Sequence, residues 1–369
     1  MDFSLTEEHE AVRALALQIL ADATTTERLG QVPADGFDQR AWTSLAEAGL
    51  LGVALPESAG GSGLGFLGAH LILEQIGATA AAVPFWETVV LGALPVATFG
   101  TPQQQELLPG VLAGETLLAP ALAEDGAADP TAPRTQAVVI DDGWELAGVK
   151  TNVPAGAIAD VLLVSAATGD GTVGVWLVPA RSTGVEIRPQ QVISETPFAE
   201  IVLDRVTLPA GALLGGTGPE VLDWLLLHGA AGLASLTSGI CGAVVRLSAD
   251  YTSRREQFGR PVATFQAVAQ RMADAFIDAE GVALTALQAA WRLSEGLPAG
   301  DEVAIAKWWA AEASHRVLHA AHHVHGGVGV DREYPLHRYF GLAKQSEFLL
   351  GGATAHLLQL GASMAAEPA

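Results

Sequence analysis

Two segments of this 369-residue sequence combine residue types that handle ligands at spacings an ordinary loop seldom needs. The first runs from Tyr251 to Gln266 and sets Arg255 close to Phe258, Gly259 and Pro261. An arginine beside a Phe-Gly turn offers a forked cation with an aromatic neighbour, a pairing suited to a pyrophosphate and an adenine ring. The plainer alternative is a helix-end turn with a surface arginine. The second segment, His323 to Arg338, contains Gly326, Gly327 and Gly329, and glycines so closely placed let a backbone approach a ligand.

Other candidate motifs carry less. Gly60 to Gly65 has the look of a dinucleotide loop, but no strand precedes it and no βαβ unit follows. His315, His319 and His322 recur at helical spacing, followed by His323 and His325, and could in principle form a zinc face. No carboxylate or cysteine set stands at ligand spacing, so packing is the expected role and no metal site is expected. The single cysteine, Cys241, lies in an apolar helical run and reads as a small core residue. It permits no intrachain disulfide, which fits a reducing cytoplasm. There is no Gly-x-Ser-x-Gly elbow to support a hydrolase.

The elements that must position these residues change character along the chain. Ser4 and Glu7 read as a capping box opening a helix through Val12, Leu15 and Ile19. Further helices are expected around 39–48, 67–77, 88–99 and 103–112, punctuated by Pro and Gly. Short β-rich runs follow at 137–140, 144–146, 161–164, 173–178, 185–187 and 201–203, which predict a small antiparallel sheet. Helical periodicity then returns with Leu233, Leu236, Ile240, Val244 and Leu247 and continues to Met364. The expected domains are therefore 1–117 (α-helical), 118–217 (β) and 218–369 (α-helical), an α+β chain that is mostly α. The lack of βαβ alternation argues against a Rossmann or TIM-barrel enzyme.

Composition sets outer limits. Half of the residues are apolar and 16% are charged, as in a globular protein with extensive burial. A formal net charge of −22 disfavours nucleic acid and anionic membranes as partners. The amino terminus lacks a basic, then apolar, secretory pattern, and Pro95 interrupts the apolar run 89–96; a cytoplasmic protein is expected.

The two ligand-type segments, with the opening Met1 to Glu8 and the turn Leu55 to Gly65, resemble the acyl-CoA dehydrogenase family across nearly the whole chain. The resemblance implies an N-terminal helical domain, a middle antiparallel β-barrel-like domain and a C-terminal four-helix bundle. It also implies a tetramer whose FAD is shared between chains, one cradling the flavin ring and its neighbour contacting the ADP half. Arg255, Phe258, Gln266, His323 and the Gly326-Gly327 loop match the neighbour's contribution. The implied reaction removes the α proton of an acyl-CoA thioester with a glutamate and passes the β hydrogen to the flavin as hydride. Electron-transfer flavoprotein is the implied acceptor.

The sequence departs from that pattern at the chemistry. The glutamate that stands before a Gly-Thr in the last domain is replaced by Leu350, and the alternative glutamate position is Gly229. A Thr-Glu pair of the flavin domain becomes Ala123-Glu124, and a Lys-x-Trp-Ile-Thr run becomes Lys150-Thr151-Asn152-Val153-Pro154, which removes hydroxyl donors and an aromatic face. The ADP-contact segments persist while the ring pocket and base do not. That asymmetry resembles the non-catalytic subunit of actinobacterial heteromeric (α2β2) acyl-CoA dehydrogenases of steroid side chains, and implies a homologous catalytic partner chain. Three rivals remain. Glu347 could act as base from ~4.5 Å back along the helix, the flavin could perform oxidase chemistry, or the chain could be a flavin-free scaffold.

Overall fold

The computed structural model describes residues 3–24, 36–127, 129–169 and 171–366. Met1 and Asp2 of the opening motif lie outside the described residues. The first helix, α1 (Glu7–Ala23), is capped by Thr6, whose hydroxyl accepts from the His9 N–H at 3.3 Å. The expected Ser4–Glu7 box is thereby corrected. Thr6 takes the extended backbone of a cap, so Glu7 is the first helical residue and joins Glu8 and Glu10 at the positive end of the helix.

Next come α2 (Gln39–Glu47), capped by Asp38, and α3 (Gly65–Thr79). The helix expected over 88–99 begins earlier, as a π-helix over Trp86–Ala93 that continues into α4 (Leu94–Phe99). The one expected over 103–112 is two short helices, α5 (Pro102–Gln105) and α6 (Leu108–Leu112). Pro109 has no N–H to give to the residue-105 carbonyl, so the helix breaks there.

Eight strands form one sheet: β1 (Leu118–Ala121), β2 (Gln136–Ile140), β3 (Gly143–Val153), β4 (Val161–Thr168), β5 (Val173–Pro179), β6 (Val185–Gln190), β7 (Phe198–Pro209) and β8 (Leu213–Leu214). The order is β6-β7-β3-β2-β4-β5-β8, with β1 on β4. All the expected strands are present, but the sheet is mixed rather than antiparallel. β4 runs parallel to both β1 and β2, reached through connections longer than a hairpin. Its core holds Leu146, Leu162, Val164, Trp176, Val178, Ile201 and Val206.

The long helix α7 (Glu220–Arg254) follows, then the hairpin β9 (Glu256–Gln257) and β10 (Arg260–Pro261). The chain ends with α8 (Gln266–Ser294), α9 (Gly300–His325), a 3-10 turn at Gly326–Val330, α10 (Leu336–Phe348) and α11 (Ala353–Ala366). By length and hydropathy α7 could cross a membrane, yet 78% of its apolar window is buried within the protein.

The chain divides into two compact units. One gathers α1, α3, α7 from Ala230 onward and every later element; the other gathers α2, the π-helix, α4 to α6, the large sheet and the first turns of α7. In the first, α3 and α7 touch backbone to backbone. A Cβ on Gly77 would lie 1.9 Å from the Leu236 oxygen, and one on Gly239 would lie 1.9 Å from that of Glu74. His70 Nδ1 meets Ser235 Oγ at 2.9 Å beside this crossing.

Candidate functional site

The Arg255 segment is a tight hairpin at the end of α7. Gln257 pairs with Arg260 around a two-residue loop, Phe258-Gly259, whose φ values are +54° and +75°. Positive φ at both central residues marks the type I′ turn, which favours Asn or Gly. A phenylalanine there costs about 1–2 kcal/mol of backbone strain, and its ring is 93% exposed. It meets the Phe265 ring edge-on at 6.2 Å, and Arg260 lies 4.2 Å above Phe265. A strained residue that shows an apolar ring to solvent is poorly explained by folding and well explained by a ligand. Arg255 is held by its backbone: its N–H donates to the Tyr251 oxygen and its carbonyl accepts from Val262. Its side chain stays exposed, as does Gln266 at the start of α8.

Tyr251 joins this hairpin to the glycine loop. Its ring stacks on His325 at 4.4 Å, and its hydroxyl approaches the His325 oxygen at 3.4 Å. His325 Nδ1 faces the Ala321 carbonyl at 2.8 Å and so carries the proton, leaving Nε2 to accept from the Tyr334 hydroxyl at 3.0 Å. Burial lowers the His325 pKa and so favours the neutral ring. Gly326 then ends α9 at φ +58°, with open space where a Cβ would stand on it or on Gly327. His323 is exposed one turn earlier. Arg255, Phe258, Gln266, His323, Gly326 and Gly327 thus belong to two neighbouring segments clasped by Tyr251, His325 and Tyr334. The clasp had no sequence signal, because its members are 74 residues apart.

At the positions expected to hold a base, the structure puts other chemistry. Leu350 sits just past α10 in left-handed backbone (φ +56°), followed by Gly351 at +96°. Lys307, fully buried, donates to the Glu347 and Gly351 oxygens at 3.1 and 2.9 Å, and burial draws its pKa down to about 7. His356 Nε2 lies 3.0 Å from the Leu350 oxygen. The Glu347 carboxylate is taken by Lys344 at 2.6 Å, whose ammonium also meets His315 Nδ1 at 2.6 Å. Gly229 offers its carbonyl to the Trp86 indole N–H at 2.9 Å. The histidine row packs: His315 lies against His319, while His319 and His322 meet Phe340 edge-on. No metal-type cluster occurs among the described residues.

In the β domain, Lys150 is buried and donates to Glu124 Oε1 at 2.6 Å and to Ser165 at 3.0 Å. Burial alone would raise the Glu124 pKa, but hydrogen bonds from Lys150 and Thr135 outweigh it and hold it near about 2. Burial draws Lys150 down to about 8 against the pull of Glu124. This pair, with the Thr151 N–H donating to the Ala123 oxygen at 2.9 Å, brings together the two segments compared above. They carry an exposed Ala123, an exposed Asn152 at φ +49° and a buried Pro154. Neither Ala123 nor Pro154 has a side-chain hydrogen-bond donor. The Gly60–Gly65 loop spends its amides internally: Gly61, Ser62, Gly63 and Leu64 donate to Pro56, Gly52, Leu55 and Val53.

Helices, then a mixed sheet, then helices along the chain, with a strained aromatic hairpin beside a glycine loop, define a class. The chain belongs to the acyl-CoA dehydrogenase family: the family's N-terminal, middle and C-terminal domain models match residues 6–115, 119–206 and 216–365. It is thus an oxidoreductase-family protein whose cofactor is FAD. Within the family it is similar to acyl-CoA dehydrogenase FadE27 of Mycobacterium tuberculosis, at 39% identity with the whole of both chains covered. Among solved structures it resembles a chain of the ChsE4-ChsE5 complex of M. tuberculosis (TM-score 0.95, 39% identity, 100% of both chains). It also resembles a chain of a Tcur3481-Tcur3483 steroid ACAD variant (TM-score 0.91, 41% identity, 97% of this chain and 98% of that one).

Proposed function

We propose that this chain is the subunit of a heteromeric acyl-CoA dehydrogenase that lacks the proton-abstracting glutamate and supplies the ADP half of a shared FAD site. The observation that carries the reading is the contrast between its two ends. A strained, exposed Phe258 hairpin stands ready beside the Gly326-Gly327 backbone, while Leu350 and Gly229 occupy the places of a base. When bound, FAD accepts the hydride of thioester α,β-desaturation. This chain's part is to hold the pyrophosphate with Arg255, cover the adenosine with Phe258 and close the backbone of Gly326 and Gly327 on the ligand. A homologous partner chain provides the carboxylate and the ring pocket, acyl-CoA is the substrate, and electron-transfer flavoprotein takes the electrons. Likeness to subunits of two-protein complexes, one of them a steroid enzyme, supports a heteromer and a bulky polycyclic acyl group.

Glu347 is a weak rival because its carboxylate is already engaged by Lys344. Expression alone and with a catalytic partner tests the reading. Yellow complex with fewer than one FAD per chain is expected from co-expression, and little bound flavin from the chain alone. Arg255→Ala should lower FAD retention in the complex, and Glu347→Gln should leave turnover nearly unchanged. One tightly held flavin per copy of the isolated chain, with brisk desaturation, overturns it.

A further inference from the structure

The turn that presents Gly326 and Gly327 is wrapped around a buried imidazole. His325 closes α9 and is 3% exposed, and the chain folds back over it so closely that a Cβ on Gly329 would lie 3.2 Å from its own Cβ. Tyr251 stacks on the ring at 4.4 Å, and the Tyr334 ring meets it at 5.1 Å. Both ring nitrogens are matched: Nδ1 donates to the Ala321 oxygen, and Nε2 accepts from the Tyr334 hydroxyl. The Tyr251 carbonyl in turn accepts the Arg255 N–H at 2.8 Å. One histidine therefore fixes the glycine backbone and, through Tyr251, the start of the arginine hairpin.

A ring wanted for packing alone is cheaper as an apolar one. What imidazole adds is the capacity to take up a proton. Protonation turns Nε2 from acceptor to donor and places a charge where the surroundings do not compensate it. Burial disfavours the cation, the Ala321 carbonyl partly offsets this, and a charged His322 on the same helix adds to it. On α7, Tyr251 is neutral and the Asp250 carboxylate is committed to Arg254 at 2.9 Å. The turn Gly326–Val330 carries no ionisable side chain, while Asp331, Arg332 and Glu333 lie exposed in the Tyr334 segment. At the start of α10, His337 Nδ1 faces the Tyr334 oxygen at 2.7 Å, and Arg338 adds only positive charge.

We propose that His325 and Tyr334 are positioning residues that hold the Gly326-Gly327 backbone for FAD while Nε2 is unprotonated, and that protonation of His325 loosens the nucleotide. The inference rests on the reading that this chain holds the ADP half of the cofactor. The exposed His323 has the opposite sign, because its cation would draw a pyrophosphate closer and tighten FAD in acid.

The test is titration of flavin-depleted heteromeric complex with FAD at pH about 7.5 and about 5, either side of the ordinary imidazole value of 6.5 and above the 4.5 at which the Glu124 acid limb begins. Wild-type affinity should fall roughly three- to thirtyfold from the higher to the lower pH, as the competent fraction falls. His325→Phe keeps a ring against Tyr251 and loses the nitrogen; Tyr334→Phe loses a single oxygen. Each should bind FAD roughly two- to tenfold more weakly than wild type at the higher pH and change little between the two. His325→Gln, which keeps an acceptor and cannot ionise, should hold FAD well at both. A fall in acid as steep in His325→Phe and Tyr334→Phe as in wild type, or wild-type affinity that rises in acid, overturns the inference alone. Arg255→Ala complex that binds FAD as tightly as wild type overturns the proposed function and this inference with it.

Discussion

Replacing Phe258 by glycine should loosen FAD without weakening the fold, and this separation is what a ligand-directed residue requires. At φ +54° the phenylalanine carries about 1–2 kcal/mol of left-handed strain that glycine does not. With its ring 93% exposed, it recovers little by burial, and the edge contact with Phe265 offsets about 0.5–1.5 kcal/mol at most. The added backbone freedom of an unfolded glycine costs roughly 0.5–1 kcal/mol. These terms nearly cancel, so the thermal midpoint of the complex stripped of flavin should barely move. Covering a phenylalanine ring with a ligand, by contrast, stabilises by roughly 1.5–3 kcal/mol, or about ten- to 150-fold in affinity. Titrating flavin-depleted complex with FAD and following flavin fluorescence measures the loss, and calorimetric unfolding of the same samples measures the fold. Unchanged FAD affinity, or a fall in stability as large as the fall in affinity, would refute the reasoning.

Four further outcomes follow from buried groups. Lys150→Met should destabilise the complex by roughly 3–5 kcal/mol, read from its denaturation midpoint, because Glu124 keeps its charge and loses its cation. Since the Glu124 pKa is depressed from 4.5 to about 2, the stability it contributes is present above 4.5 and is lost as pH falls towards 2; Glu124→Gln should flatten that acid limb. Lys307, lowered from 10.5 to about 7, contributes stability that is present above 10.5 and lost as pH falls through 7, so Lys307→Met should abolish that slope in thermal midpoints taken across the window. Gly77→Ala should cost several kcal/mol and sharply reduce soluble yield, because its methyl has the rigid Leu236 carbonyl within 1.9 Å.

The succession of helices, strands and helices was legible because periodicity and turn residues are local signals. So was the Phe258-Gly259 turn, but not the hairpin around it, because a phenylalanine at positive φ is no hairpin signal. The parallel pairing of β4 with β1 and β2 was not legible, because register between distant strands has no local signature. The cap at Thr6 rather than Ser4 turned on backbone angles, since both residues offer the same hydroxyl. Lys307 has no local signal in the sequence; what distinguishes it is the pair of carbonyls at Glu347 and Gly351 that its ammonium meets.

The turn after α10 carries the argument about the missing base one step further. Had this end of the molecule merely decayed, its backbone scaffold would have had no reason to stay in a costly form. Yet Leu350 is held in left-handed backbone, His356 reaches its carbonyl, and a fully buried lysine spans Glu347 and Gly351. A buried amine drawn to about 7 is an expensive clamp, and an apolar side chain at position 307 would be cheaper if the turn had no task. On the proposed reading, the clamp keeps the turn's shape while Leu350 puts an apolar side chain where the proton acceptor is expected. Substituting glutamate at Leu350 therefore tests shape and chemistry separately. If the scaffold is intact and only the side chain differs, Leu350→Glu should leave the complex folded and FAD-bound at wild-type stoichiometry. On the proposed reading turnover should not rise, because the flavin ring is seated on the partner chain and not at Ala123, Asn152 and Pro154. A Leu350→Glu complex that gains a second active site would show that the ring pocket was sufficient all along and that the base alone had been lost.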